Sequence, residues 1–166
     1  PDGPVERTVE YRAPFIKPDR EKGEFWVTTS RINEIWQSGF DEIRKPYLEN
    51  RWPDTFTEIN PIDAEQYGIE SGDYIRMYSD DILIQTDGWN RVKPEEIQFS
   101  WLEENGFIRQ GSADVRAVAI VTDAVPEGLL LTNFLHPNSP ANALVHRVPD
   151  PITNRYRFKL GKGQIE

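Results

Sequence analysis

Two stretches of this chain carry the residue types that bind rather than merely fold. In the first, Arg31, Asn33, Gln37 and Ser38 surround Trp36, directly after an apolar, β-branched run from Phe25 to Thr29. A strand that delivers donors and an aromatic face at its exit can hold a flat polar ligand. The same residues also suit a surface turn with Trp36 in the core, and the stretch by itself does not decide between the two. The second stretch begins near Asn133 and is rich in amides, hydroxyls and cations. From Arg147 to Glu166 there are five basic residues against two acids, a balance of +3 within a chain of net charge −9. A local cationic patch suits a small anion such as a pyrophosphate. It would equally serve as a basic tail paired with the acidic body.

Other chemistries are excluded by what is missing. The chain has no Cys, so disulfides, thiolate catalysis, Cys-ligated zinc and iron–sulfur ligation fall away. Its two histidines, His136 and His146, lie ten apart on loop-like sequence without a clear third ligand, which argues against a zinc or iron site. Asp80 and Asp81 are adjacent, so on a strand they point to opposite faces and make a poor acid–base pair. Glu95–Glu96 and Glu103–Glu104 read as solvated surface. Neither a phosphate-binding glycine loop nor a nucleophile elbow is present. We assign no catalytic and no metal-ligating residue: any reactive centre must come from elsewhere. The acidic net charge makes nucleic acid and anionic membranes poor partners. No apolar run approaches the length of a membrane span. The opening, Pro1-Asp-Gly-Pro4, lacks a Met and any signal-like core, and reads as a piece of a longer protein.

The elements that must position these residues are mostly short. Thirteen Pro and eleven Gly in 166 residues argue for many breaks, while five Trp, six Tyr and eight Phe supply a core. Residues 1–23 read as an extended arm, a linker from an upstream domain, pinned by Tyr11, Phe15 and Ile16; residues 24–166 read as one domain. Strands are expected at 25–29, 56–59, 74–78, 82–86, 115–121, 129–134 and 156–160. A helical turn over 40–50 is interrupted by Pro46, and 90–114 is irregular with a short helix at 100–105. Asn60-Pro-Ile-Asp…Gly68 is a helix with its own punctuation: Asn60 as N-cap, Pro61 at the first position, Asp63 on the positive end, Gly68 as left-handed stop. Local structure accounts for Asp63 and Asp73 without catalysis. Ile69…Gly72 and Val125…Gly128, each followed by a strand, hint at two related halves.

Three segments together resemble one family. Thr28-Thr-Ser-Arg-Ile-Asn-Glu-Ile-Trp-Gln-Ser-Gly39, Ile59-Asn-Pro-Ile-Asp-Ala…Gly-Ile-Glu-Ser-Gly-Asp-Tyr-Ile-Arg76 and Ala141-Asn-Ala-Leu…Asp150-Pro-Ile-Thr…Phe158-Lys159 occur in order across residues 25 to 160. They resemble the C-terminal molybdopterin-dinucleotide-binding domain of the dimethyl sulfoxide reductase family of molybdenum enzymes. Asn33-Glu-Ile-Trp-Gln37 and Trp52 favour the arsenite oxidase large-subunit branch, which includes iodate reductase-like enzymes. The resemblance implies a mainly β fold, a six-stranded double-psi β-barrel with short peripheral helices. It implies a molybdopterin guanine dinucleotide with Mo as cofactor of the full enzyme, an iron–sulfur cluster held only by upstream domains, and a small oxyanion as substrate. The implied partners are those upstream domains and a small iron–sulfur subunit, in the periplasm. Carried over by position, Arg31, Gln37 and Ser38 lie by a pterin, Asn142 bonds its edge, and Lys159 with Arg157 closes over the second dinucleotide; Thr29, Ser30, Asn33 and Trp36 complete the set. Ser30 departs from a usual Gly, and Gln37 from a frequent His, which removes a titratable group there. The alternatives are a stand-alone barrel that binds or interacts without redox chemistry, and a self-processing decarboxylase-type barrel, for which Gly111-Ser112 is the sole candidate dipeptide.

Overall fold

The structure, a computed structural model, describes residues 18–35, 45–88, 99–133, 135–149, 155–156 and 159–166. Six strands form it: β1 (Phe25–Ser30), β2 (Phe56–Ile59), β3 (Tyr74–Gln85), β4 (Ile108–Val121), β5 (Leu129–Asn133) and β6 (Gly161–Ile165). They close into a barrel in the order β1-β5-β2-β4-β3-β6. Exchanging each strand with the one three later in the chain maps every pairing onto one of the same sense. Thus β1–β5 and β4–β2 are both parallel, while β1–β6 and β4–β3 are both antiparallel. This internal twofold is that of the expected six-stranded double-psi barrel. The two halves are real, but the Gly-containing turns noted above do not mark them. Gly72 precedes β3 and Gly128 precedes β5, and the twofold pairs β3 with β6.

Alternation puts one face of each strand inside. Phe25, Val27, Ile59, Met77, Val115, Ala117 and Leu130 are buried in one cluster. Each fully buried large apolar side chain contributes about 1.5–3 kcal/mol. A second small cluster of Ile35, Leu48 and Trp52 lies apart from it.

The local signals at α2 (Pro61–Tyr67) hold. The Asn60 side chain accepts from the Ile62 N–H at 3.0 Å, and Gly68 takes φ 66°. Asp63 does more than face a helix end. It is buried, and its carboxylate accepts from Arg20 and from the Gly128 N–H at 2.6 Å, so it ties the segment before β1 to the turn before β5.

Four expectations are corrected. Pro46 starts α1 (Pro46–Arg51) instead of interrupting a helix, because its missing N–H costs nothing in a first turn. The strands expected at 74–78 and 82–86 are one, β3, and β4 begins at Ile108 inside the stretch read as irregular. These two form a long antiparallel pair. Between Ser79 and Ile82 the register shifts, so β3 has one more residue than β4 opposite (113 to 111). Asp80 and Asp81 occupy that bulge, which moves the buried set from Ile75, Met77 and Ser79 to Ile82. The short helix at 100–105 is α3 (Phe99–Glu104), which precedes β4. Finally, the closing strand is β6: of the strand expected at 156–160, Tyr156, Lys159 and Leu160 lie in no strand, and residues 157–158 lie outside the described residues. Its glycines make it a poor strand by propensity, but barrel closure requires them. An added Cβ at Gly161 would press on the Leu144 carbonyl oxygen, and one at Gly163 would sit 2.8 Å from that of Tyr78.

Candidate cofactor-binding site

β1 carries the first candidate group to one end of the barrel. β1 runs parallel to β5, with Thr29 opposite Thr132 and Ser30 opposite Asn133. Thr29 is buried, and the Ser30 hydroxyl donates to the Thr132 carbonyl at 3.4 Å. Beyond them the chain leaves the sheet, and Arg31 and Asn33 are exposed. Trp36, Gln37, Ser38 and Arg157 lie outside the described residues.

Lys159 is brought to the same place from 130 residues away. Its ammonium donates to the Thr29 carbonyl at 2.5 Å, while the Thr28 hydroxyl donates to the Lys159 carbonyl at 2.7 Å. The tail therefore reaches the strand that delivers Arg31.

The rest of the second stretch is anchored as a belt over the barrel. Thr55 donates to the Ser139 carbonyl at 2.6 Å, and the Ser139 hydroxyl accepts from the Arg116 N–H at 2.9 Å. A 3-10 turn at Ala141–Leu144 buries Ala141 and Leu144 against the core. Residues 145–147 then run between β3 and β6. Arg147 exchanges backbone hydrogen bonds with Leu83 and Gln85, and Val145 bridges Gly161. The His146 Nδ1 accepts from the Leu83 N–H at 3.0 Å, so in the neutral ring the proton sits on Nε2. Burial holds the His146 pKa below the ordinary histidine value; Asp81 opposes this and Lys162 reinforces it.

This belt leaves polar atoms without partners. Asn142 lines a cleft of 250 Å³ with His146, Arg147 and Tyr156, and its Oδ1 is buried and unpaired. Asn133, at the exit of β5, is 1% exposed. Its Oδ1 accepts from the Phe56 N–H at 2.9 Å, but its Nδ2 is buried and unpaired. An unmet buried amide costs about 1–3 kcal/mol, so such atoms mark places where a ligand can repay the fold. Asn133 was absent from the residues selected on sequence. The available signal was an Asn closing an otherwise apolar strand, level with Ser30.

The basic tail divides by environment. Lys162 is almost fully buried, 2.9 Å from Asp81 and 3.3 Å from Glu24. Burial works against its ammonium, but the two carboxylates outweigh burial and raise its pKa. Lys162 therefore pairs with the acidic body. Arg147, Arg155 and Lys159 are exposed and retain the cationic character of the tail.

Residues 25–86 match the molydopterin dinucleotide binding domain, a span that starts at β1 and runs through β3. The chain carries a molybdopterin dinucleotide binding domain. It is 48% identical over 148 residues to the iodate reductase subunit IdrA of Denitromonas iodatirespirans, covering 89% of this chain and 16% of that subunit. It is 49% identical over 150 residues to IdrA of Pseudomonas sp. (strain SCT), covering 90% and 17%. It is 31% identical over 65 residues to the arsenite oxidase subunit AioA of Herminiimonas arsenicoxydans, covering 39% and 8%. The chain thus spans about a sixth of the iodate reductase subunits it matches. These relatives represent the branch expected from Asn33-Glu-Ile-Trp-Gln37 and Trp52. Among the described residues, no helix is long and apolar enough to cross a membrane, and no group of three or more His, Asp or Glu could hold a metal ion.

Proposed function

We propose that this chain is the cofactor-clasping domain of a molybdenum oxidoreductase that acts on a small oxyanion, in the manner of iodate reductase or arsenite oxidase. The observation that carries the reading is the 48% identity to an iodate reductase subunit across 89% of the chain. The residues fit the cofactor. A pterin edge offers alternating donors and acceptors, and the unpaired Asn142 Oδ1 and Asn133 Nδ2 offer an acceptor and a donor in return. A pyrophosphate calls for cations, and Arg31, Arg147, Arg155 and Lys159 are exposed at the belt and the β1 exit. When bound, the molybdenum group supplies the redox chemistry.

This chain's own residues bind and orient. Asn142 and Asn133 present amide atoms held in place by backbone packing, so little ordering entropy is lost on binding. Thr29, Ser30 and Lys159 join the two stretches, and Arg31, Asn33, Trp36, Gln37, Ser38 and Arg157 extend the clasp. Upstream domains of the same subunit, carrying an iron–sulfur cluster and most of the substrate pocket, complete the enzyme. The reading extends to a small iron–sulfur partner subunit and a periplasmic location. Molybdenum and dinucleotide content of the full-length protein tests this, measured for wild type, Asn142→Ala and Arg31→Ala. Both variants are expected to fall well below the wild-type loading; normal loading in both refutes the clasp.

A further inference from the structure

A largely apolar cavity of the barrel is not part of the clasp. A cleft of 420 Å³ opens between the turn after β1, α1 and the outer face of β2 and β4. Its walls include Ile35, Leu48, Trp52, Phe56, Val118 and Ile120. The outward side chains of β4 change character here. Asp114 and Arg116 are charged and exposed where β4 pairs with β3 alone, whereas Val118, paired with both β3 and β2, and Ile120, paired with β2, are apolar. Ile120 is left 38% exposed. An outer strand face built of charge at one end and of aliphatic groups at the other is built to be covered at the aliphatic end.

Two charges on the rim are engaged, while Glu34 is exposed to solvent. Asp54 pairs with Arg116 at 3.1 Å, and Arg51 donates to the Tyr47 hydroxyl at 2.7 Å. The unmet group is inside. Trp52 is 8% exposed, and its indole N–H is buried with no acceptor. Its ring is clamped edge-on by His136 at 4.6 Å, and the His136 Nε2 lies 3.2 Å from the Trp52 carbonyl. The indole is therefore held in place with its donor unused. The complement of this cleft is an apolar group beside a single hydrogen-bond acceptor, which describes a peptide segment with an aliphatic or aromatic side chain next to a backbone carbonyl.

We propose that this cleft is the seat of a segment of the same, longer polypeptide, one that inserts an apolar side chain between Trp52 and Ile120 and accepts the Trp52 N–H on a backbone carbonyl. The inference rests on the reading of this chain as one domain of a large subunit. The chain spans 16% of the iodate reductase subunit it matches, so a protein of that build carries most of its length outside this barrel. Covalent linkage gives such a segment a high effective concentration that a free ligand or a second copy lacks.

The test uses the full-length protein. Hydroxyl-radical footprinting compares Ile120 with Tyr74, which is 59% exposed on the neighbouring charged face, each normalised to its own rate in denatured protein. Ile120 is expected to be protected at least tenfold more than Tyr74; equal reactivity overturns the proposal. A photo-crosslinking residue at position 120 is expected to join to a peptide of the same chain outside residues 1–166. A crosslink that appears only in the dimer band names a second copy and overturns it, as does protection without any crosslink, which points to a small apolar ligand. Trp52→Phe keeps the ring and deletes the donor. It is expected to raise hydrogen exchange of the crosslinked segment about fivefold, the ratio set by one ordinary hydrogen bond; unchanged exchange overturns the bond to Trp52. Molybdenum content measured on the same preparation separates the two readings. Loaded protein with a reactive Ile120 sinks the cleft proposal alone, and unloaded protein with a protected Ile120 sinks the clasp alone.

Discussion

Replacing Gly163 by Ala tests whether closure of the barrel holds the clasp together. Gly163 lies on β6, opposite Phe25 of β1, one residue from Lys162. A Cβ there would meet the Tyr78 carbonyl oxygen at 2.8 Å and the Val27 Cγ2 at 3.6 Å. Ordinary contact begins near 3.4 Å, so one backbone must yield by about 0.6 Å. The obstructing atom belongs to the β3 backbone and cannot rotate away. Overpacking of this kind costs about 1–3 kcal/mol. Taking ~2 kcal/mol, displacement of β6 from its place between β3 and the β1–β6 seam becomes about 30-fold more frequent. The same seam carries the Lys159 bond to Thr29, four residues upstream of Gly163. Hydrogen exchange followed by mass spectrometry on the full-length protein should show the loss in peptides covering 25–30 and 161–166, with cofactor content falling in parallel. Gly111→Ala is the control, because its Cβ would meet the movable end of the Ile84 side chain. If Gly163→Ala exchanges within threefold of wild type, or Gly111→Ala is worse, the closure argument is wrong.

Two further outcomes follow from the electrostatics. Lys162→Met leaves Asp81 and Glu24 facing each other without their cation; the carboxylates are partly exposed, so the cost is about 2 kcal/mol rather than the 3–5 kcal/mol of a fully buried pair, read as a shift in denaturation midpoint that high salt reduces. Because the folded-state pKa of Lys162 is raised, its contribution is complete below its ordinary value and disappears as pH climbs past the raised one, a loss that Lys162→Met should abolish. His146 works in the opposite range. Its folded-state pKa is lowered, so the unfolded chain takes up the proton first, and stability falls as pH drops from the ordinary histidine value toward the lowered one. Denaturation midpoints between about pH 5 and 7 should show this slope, and His146→Asn, which retains an acceptor for the Leu83 N–H, should flatten it.

Much of the fold was legible along the chain because its causes are local. Asn60, Pro61 and Gly68 name the start and stop of α2 by cap chemistry that involves only neighbours. The aromatic and β-branched run at Phe25–Thr29 and the alternation at Phe56–Ile59 are strands for the same reason. The order of three motifs was enough to name the family and, with it, the barrel.

Tertiary structure decided the rest. β6 is Gly-Lys-Gly-Gln-Ile, a sequence with little strand propensity, and it is a strand because glycine alone fits between β1, β3 and the 3-10 turn. Pattern alone splits β3 at Asp80–Asp81; only the register against β4 shows one strand with a bulge. Lys162 and Lys159 are both cations of one tail, yet Asp81 and Glu24 claim the first while the second reaches Thr29, and no spacing in the sequence separates them. Asn133 and Trp52 carry unmet polar atoms that become visible only when packing removes their water. Local chemistry therefore determined which elements form and which family they serve. Burial, register and closure, which depend on residues from tens to more than a hundred positions apart, determined which side chains are left to bind.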